Sequence, residues 1–267
     1  MSKKFTVACF QTTSSNKPCH NINLLQNMFS SLKRKKTDLI CMPECVAILS
    51  DKKTEIDDYW SNWHRKFLRF ISESARKLKT HILIGSVPIR KKNGKFFNRS
   101  ILINGEGDIM NFYDKINLFD VVLSKREKYL ESKNYDAGRL LKISTLPWGK
   151  LGMSICYDVR FPKLYKSLAK KGSDFITIPA AFTFSTGKDH WFPLVRSRAI
   201  ENGVFIFAPA QCGLHDNGRQ TYGHSLIVDP WGKILKDAGK EISIVRETID
   251  VKNIQDVRKK IPSMEVY

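Results

Sequence analysis

The chain has 267 residues, 42% of them hydrophobic, enough for one large α/β domain with a sizeable core. Lys and Arg number 45 against 26 Asp and Glu, a formal charge of +19 that attracts anions. The cations are spread along the chain, with 33–36 the only run of four, and carry no zinc-finger, RNA-binding or helix-turn-helix pattern, so nucleic acid is not an expected partner. No run approaches the ~18 apolar residues of a membrane-spanning helix. About six apolar residues follow Met-Ser-Lys-Lys, fewer than a secretory signal needs. The six cysteines show neither a Cys-x-x-Cys pair nor the density of a disulfide scaffold or zinc site. A reducing, cytoplasmic setting is expected.

Residues 5–10 alternate as a strand. Ile22, Leu25, Met28, Phe29 and Leu32 give 21–32 a helical period, and 38–42 forms a second short strand, so the chain opens β-α-β. Pro43 ends that strand and leaves Glu44 at its carboxyl end, where a carboxylate is either a general base or a solvated loop residue. Residues 59–79 read as an amphipathic helix with Trp60, Trp63, Phe67, Phe70, Ile71 and Leu78 facing the core. Strands follow at 81–88, 98–103 and 108–113, the last two as a hairpin that delivers Asp114 and Lys115 just past its end. From 120 to 138 the sequence is charged and aperiodic, as in a long loop or lid over a site. Strands at 140–143 and 151–155 flank the turn Pro147-Trp148-Gly149.

The stretch 151–162, Leu-Gly-Met-Ser-Ile-Cys-Tyr-Asp-Val-Arg-Phe-Pro, ends an apolar strand at Cys156 and starts a helix at Pro162. Such a strand-to-helix elbow exposes a side chain beside free backbone N–H groups, which suits a nucleophile; a buried structural cysteine is the alternative reading. Beyond it come a helix to 171, a strand at 175–179, a helix at 188–201 and a strand at 204–209. Strands at 223–228, 233–235 and 242–249 close the chain, with Pro230-Trp231-Gly232 as a hairpin turn. No biased linker and no tandem repeat interrupts this order, so residues 1–267 form a single domain.

A glutamate after the second strand, a lysine after a hairpin and a cysteine at an elbow together resemble the nitrilase superfamily, the carbon–nitrogen hydrolases. The resemblance is carried by Cys41-Met-Pro-Glu44, Tyr113-Asp-Lys115-Ile-Asn-Leu-Phe-Asp120 and Gly152-Met-Ser-Ile-Cys-Tyr-Asp-Val-Arg-Phe-Pro162. It extends through Pro179-Ala-Ala-Phe-Thr183, Thr186-Gly187, His190-Trp191, the segment 196–202, Ala208-Pro-Ala-Gln211, Tyr222-Gly-His-Ser225 and Asp229-Pro-Trp-Gly232. It implies a four-layer α-β-β-α sandwich, paired as a homodimer or higher homo-oligomer, and a thiol amidase that needs neither metal nor organic cofactor. The sequence holds no His-Glu-x-x-His. Gly105-Glu-Gly107 lacks the third glycine of a dinucleotide fingerprint, and Phe182 stands where a phosphate loop ending at Thr186-Gly187-Lys188 needs glycine.

The resemblance implies Glu44, Lys115 and Cys156 as the catalytic set, with the backbone N–H of Tyr157 helping to hold the oxyanion. Glu131 matches a further glutamate that would orient Lys115 or the substrate. Its loop, 124–130, is the least similar part, and Glu127 competes for that role. Phe182, Thr183 and Arg160 are the expected substrate contacts, Arg160 gripping a carboxylate or else bracing the elbow through Asp158. The flanking residues resemble most the amidase branch that includes deaminated glutathione amidase and ω-amidase, which act on small anionic amides; the resemblance implies release of ammonia from such an amide, with deaminated glutathione the first expected substrate and 2-oxoglutaramate the second. Lys163 and Phe192 depart from that branch. The competing readings are a nitrilase or N-carbamoyl amide hydrolase on the same triad, and a basic binding protein on an inactive scaffold.

Overall fold

The structure is a computed structural model that describes residues 4–125 and 127–262. The first half runs β1 (Lys4–Gln11), α1 (Pro18–Leu32), β2 (Leu39–Cys41), α2 (Lys53–Asp58), α3 (His64–Leu78), β3 (His81–Arg90), β4 (Phe96–Ile103) and β5 (Ile109–Asp114). A short hairpin, β6 (Asp120–Val122) and β7 (Lys128–Leu130), leads to β8 (Ile143–Leu146), β9 (Gly149–Met153), α4 (Pro162–Lys170), β10 (Phe175–Thr177), α5 (Phe184–Asn202) and β11 (Phe205–Ala208). A second hairpin, β12 (Cys212–Leu214) and β13 (Gln220–Tyr222), precedes β14 (Leu226–Val228), β15 (Ile234–Asp237), β16 (Ser243–Asp250) and α6 (Lys252–Lys260).

Two six-stranded sheets result, ordered β16-β1-β2-β3-β4-β5 and β15-β14-β11-β10-β9-β8. Alternation decides the layering, because successive strand residues point to opposite faces. In the first sheet Phe5, Val7, Cys9, Leu39, Cys41, Leu83 and Leu102 belong to the core shared with the second sheet. Their neighbours Ala8, Phe10, Ile40, Ile82, Ile84, Ile101 and Ile103 pack instead with α1 and α3 residues such as Leu25, Phe29, Phe67 and Ile71. Between the sheets Phe5 stacks on Trp148 at 4.6 Å and meets Phe175 edge-on at 5.0 Å. On the far side α4 and α5 cover the second sheet with Leu164, Leu168, Val195 and Ala199. The order helix, sheet, sheet, helix is the expected four-layer α-β-β-α sandwich.

Several elements differ from the sequence expectation for identifiable reasons. A π-helical turn, Tyr59–Trp63, precedes α3 and shifts the phase of the apolar stripe, so that Tyr59 is fully buried while Trp60 and Trp63 are half-buried. Phe70 and Leu78 are half-buried as well, leaving Phe67 and Ile71 as the inward pair. The first strand of the second sheet is Ile143–Leu146, three residues later than expected, where it pairs with β9 across the turn at Pro147. Helix α5 starts at Phe184 rather than 188, and Gly187 in its first turn packs against Tyr222, where a Cβ would meet the ring at 2.4 Å. The stretch 120–138 contains the β6–β7 pair and a 3-10 turn, Glu131–Lys133. Helix α6 and the β12–β13 hairpin were not expected at all.

Strands β1, β2 and β3 run parallel, as do β9, β10 and β11, so their carboxyl ends gather at one edge of the sandwich. Gly85 makes room there. The β3–β4 register shifts between Ile84 and Val87, and a Cβ on Gly85 would lie 2.0 Å from the Met42 carbonyl oxygen and 2.2 Å from that of Pro43. Gly85→Ala must therefore push the Met42–Glu44 segment outward, a change that should cost about 1–3 kcal/mol, as overpacking typically does. A drop in the urea midpoint with unchanged slope checks this; unchanged stability would mean that the segment is loosely held.

Candidate active site

Three strand ends and one hairpin converge at this edge. Past β2, Pro43 turns the chain and Glu44 points inward, 4% exposed rather than solvated. Its Oε1 accepts from Lys115 Nζ at 2.9 Å and Asn98 Nδ2 at 3.0 Å, and its Oε2 from the Ala181 N–H at 2.8 Å. Gln211, from the Ala208-Pro-Ala-Gln211 motif, donates to the Glu44 carbonyl at 2.9 Å and so fixes the backbone beneath it. Lys115 follows β5 directly and is 2% exposed. Its ammonium also donates to Glu131 Oε2 at 2.8 Å, and Asn98 donates to Glu131 Oε1 at 2.8 Å. The Phe119 N–H completes the Glu131 set at 2.7 Å.

Cys156 opens a 3-10 turn, Cys156–Arg160, with φ of 45°, a left-handed conformation that costs a non-glycine residue energy and marks a constrained elbow. Three contacts hold it. Its N–H donates to the Pro179 carbonyl at 2.8 Å, Asp158 Oδ2 accepts from the Ile155 N–H at 2.9 Å, and the Tyr113 hydroxyl donates to the same Asp158 oxygen at 2.7 Å. Asn117 donates to Asp158 Oδ1 through both its backbone and side-chain nitrogens, at 3.0 and 2.8 Å. Segment 179–181 therefore ties the two key residues together, accepting from Cys156 at one carbonyl and donating to Glu44 two residues later.

Protonation states follow from these surroundings. Burial pushes the Glu44 carboxyl up, but the Lys115 ammonium, Arg219 and the Cys156 thiol proton together hold it below the usual carboxylate range. Burial, the Glu44 charge and the hydrogen bond to Glu44 keep the Cys156 thiol well above its ordinary value, against the pull of Lys115 and Arg219. Burial opposes the charge on Lys115, yet Glu131, Glu44 and Cys156 keep it protonated far above the ordinary range. The resting pair is a neutral thiol beside an ionised glutamate.

Most of the other expected residues stand around this centre. Tyr157 is in the first turn after Cys156, where N–H groups lie ahead of the intrahelical bonds. Phe182, 5% exposed, and Thr183, 1% exposed, line a cleft of about 10 Å³ together with Cys156 and Tyr157. Arg160 does not pair with Asp158, whose oxygens are committed to Ile155, Tyr113 and Asn117. Its guanidinium lies 5.2 Å from the Phe182 ring and donates to His190 Nδ1 at 3.2 Å. Glu131, not Glu127, contacts Lys115; Glu127 accepts from the Tyr129 hydroxyl and from Ser185 Oγ. Two residues were missed. Asn98 bridges both carboxylates, and its only signal was a polar residue at the head of an apolar strand. Arg219, in the β12–β13 turn, lines the same cleft and donates to the Ala181 carbonyl. Among the described residues no group of three or more His, Cys, Asp and Glu side chains is arranged to hold a metal.

The family described as "Carbon-nitrogen hydrolase" matches residues 6–259. The chain belongs to the carbon–nitrogen hydrolases, the nitrilase superfamily. It is 35% identical to "Deaminated glutathione amidase" of Synechocystis sp., over 98% of each chain, and 30% identical to "Omega-amidase NIT2" of Danio rerio, over 97% of this chain and 93% of that one. The solved C. elegans NitFhit protein superposes with a TM-score of 0.94 at 31% identity, covering 99% of this chain and 65% of that longer one. The Saccharomyces cerevisiae Nit3 structure, a member of branch 10 of the superfamily, gives 0.85 at 29% identity over 97% of this chain and 95% of that one.

Because the native Glu44 value lies below the ordinary carboxylate range, its ionisation stabilises the fold above the unfolded value of about 4.3, and this contribution is lost as pH falls through the lower native value. Glu44→Gln should cost about 3–5 kcal/mol at pH 7, as expected for breaking a buried ion pair. The gap from wild type should narrow below about pH 4. Urea titrations at both pH values measure it; a gap that widens with acid would contradict the assigned ionisation.

Proposed function

We propose that this carbon–nitrogen hydrolase is a cysteine amidase in which Glu44, Lys115 and Cys156 carry the chemistry, on one domain that spans the chain. The observation that carries the reading is the geometry: Glu44, buried and held by Lys115, Asn98 and the Ala181 N–H, is tied through segment 179–181 to the Cys156 elbow. Glu44 takes that proton as sulfur attacks the amide carbon, and returns it to the departing nitrogen when the C–N bond breaks. Two of the three Lys115 protons go to Glu44 and Glu131, leaving one for the developing oxyanion beside the Tyr157 N–H. Glu131 and Asn98 position Lys115 and Glu44. Water, activated by Glu44, then hydrolyses the thioester.

Deaminated glutathione is the substrate that the relatives support best, with 2-oxoglutaramate as the second reading through the ω-amidase relative. Both are anionic 2-oxo amides. The expectation of ammonia release holds for 2-oxoglutaramate only and is corrected for deaminated glutathione, whose amide nitrogen carries cysteinylglycine, so that the dipeptide leaves. Arg160, beside Phe182 and Tyr157, is the cation for the acyl end, and Phe182 and Thr183 enclose the reacting amide. The reading includes a cytoplasmic homo-oligomer without nucleic acid or membrane partners. Self-association is supported by exposed Ile200, Trp231 and Ile261 around one shallow cavity, and no helix among the described residues is long and apolar enough to cross a membrane.

Cys156→Ala should fold with the wild-type melting temperature to within a few degrees and lose at least about 10⁴-fold in kcat/KM on a 2-oxo amide. Substantial residual hydrolysis would remove Cys156 from the nucleophile's role. Lys115→Arg keeps the charge but replaces a compact ammonium by a planar fork, so position is tested apart from charge. A fall in kcat of about 10²–10³-fold is expected from misplacing an oxyanion donor. A folded variant with normal kcat would make Lys115 a structural ion-pair residue only.

A further inference from the structure

The run of cations at 33–36 stands apart from the catalytic edge. It follows α1 and precedes β2, whose opposite end leads to Glu44, while Lys77 and Lys79 come at the end of α3, just before β3. All six residues line one cavity of about 970 Å³ at the amino ends of these two strands. We infer that this cavity binds a soluble organic polyphosphate, a ligand with at least two phosphoryl groups on an apolar or aromatic body, at a site separate from the one that holds Cys156.

Charge points to the phosphates. Against the six cations the wall holds two carboxylates, Asp38 and Glu73, and Asp38 already accepts from the Thr6 N–H at 2.7 Å. No ion pair to any of the six is found among the described residues, and all six are exposed at the rim. Offsetting the dipoles of α1 and α3 does not account for them, because each helix end amounts to only about half a charge. A single bound carboxylate would leave most of the surplus standing. Two phosphoryl groups, at about −1.5 to −2 charges each near neutral pH, match it. Lysine ammonium groups suit such a ligand, since they act on phosphate as point charges.

The apolar part of the wall sets the body of the ligand. Phe29, Leu32 and Ile40, all buried, form the floor, with Phe70 and Leu78 half-buried beside them, and the Phe29 and Phe70 rings lie 5.8 Å apart. The volume falls in the range of ~300–1,000 Å³ that holds a small organic ligand. The backbone that carries the cations is fixed before any ligand arrives. Thr37 Oγ1 donates to the Lys35 carbonyl at 3.1 Å, Thr80 Oγ1 donates to the Thr37 carbonyl at 2.7 Å, and Arg246 from β16 donates to the Lys36 carbonyl and, at 3.2 Å, to Thr37 Oγ1. Lys79 takes a left-handed φ of 50° that turns the chain out of α3 beside this anchored segment.

The test is titration calorimetry on the full chain with adenosine triphosphate, adenosine monophosphate and inorganic tripolyphosphate, in metal-free buffer of low ionic strength. Adenosine triphosphate should bind at one site per chain and at least about 10-fold more tightly than the other two, since one of them lacks phosphates and the other lacks the apolar body. Lys35→Ala combined with Lys79→Ala should weaken it at least about 10-fold, whereas Lys163→Ala combined with Lys171→Ala, the same loss of charge at the two ends of α4, should leave it within about twofold. All four lysines are exposed, so both variants should keep the wild-type urea midpoint. Saturating 2-oxoglutarate, the acid that both candidate amides would yield, should not compete, and Cys156→Ala should bind the nucleotide as the wild type does. Absence of binding, equal affinity for tripolyphosphate, equal losses in the two double variants, or competition by 2-oxoglutarate would overturn the site. Capture by phosphatidylcholine vesicles carrying a bisphosphorylated inositol lipid, with no binding of free nucleotide, would place the phosphates on a lipid headgroup and overturn the soluble ligand. Each of these outcomes leaves the amidase reading intact, because that reading is tested by hydrolysis at Cys156.

Discussion

Everything at the catalytic edge depends on burying two carboxylates and one ammonium within hydrogen-bond distance of each other. Taking each ion out of water costs several kcal/mol, and this is offset only when partners satisfy the remaining donors and acceptors. Glu44 and Glu131 meet that condition through Lys115, Asn98 and the N–H groups of Ala181 and Phe119. Two negative charges against one positive leave the cluster at −1, and the neighbouring Arg219 guanidinium supplies the balancing charge. The same network keeps Glu44 ionised beside a neutral, buried thiol, the pairing that the proposed mechanism uses.

The fold serves this cluster by bringing its members from distant parts of the chain to one edge. Glu44 leaves the first sheet, Cys156 leaves the second, and the segment after β10 bonds to both. Neither sheet alone could hold the pair. The core between the sheets, with Phe5, Trp148, Phe175 and Phe207 in ring contact, therefore sets the distance between Glu44 and Cys156 as well as the stability of the domain.

The legibility of the sequence divided along physical lines. The β-α-β opening, the elbow at Cys156 and the helix after Pro162 were readable because apolar periodicity and proline placement are local signals. Glu44 and Lys115 were readable as strand-end residues, but only the order of three spaced motifs raised them above solvated loop charges. Asn98 was not legible, since its role comes from bridging carboxylates 54 and 33 residues away. Arg219 sits in a turn, Asp216-Asn-Gly-Arg, whose local chemistry says only that the chain reverses. The π-helical turn at Tyr59–Trp63 moved the buried face by one residue, which no period of 3.6 anticipates. In 120–138 strands of three residues are too short for alternation to register, and the first turn of α5, Phe184-Ser-Thr-Gly187, carries only one large apolar residue, too few to show a helical period.

The central claim is that an ionised Glu44 takes the Cys156 thiol proton as sulfur attacks the amide carbon, and that a thioester follows when the C–N bond breaks. Rapid acid quench of the enzyme with its 2-oxo amide, followed by intact-mass and peptide mass analysis, tests it most directly. The account predicts a transient mass increase equal to the acyl group without its amine, located on the peptide that contains Cys156 and formed at the rate of amine release. Turnover without any such adduct under conditions where deacylation is slowed, or an adduct on another residue, would contradict it.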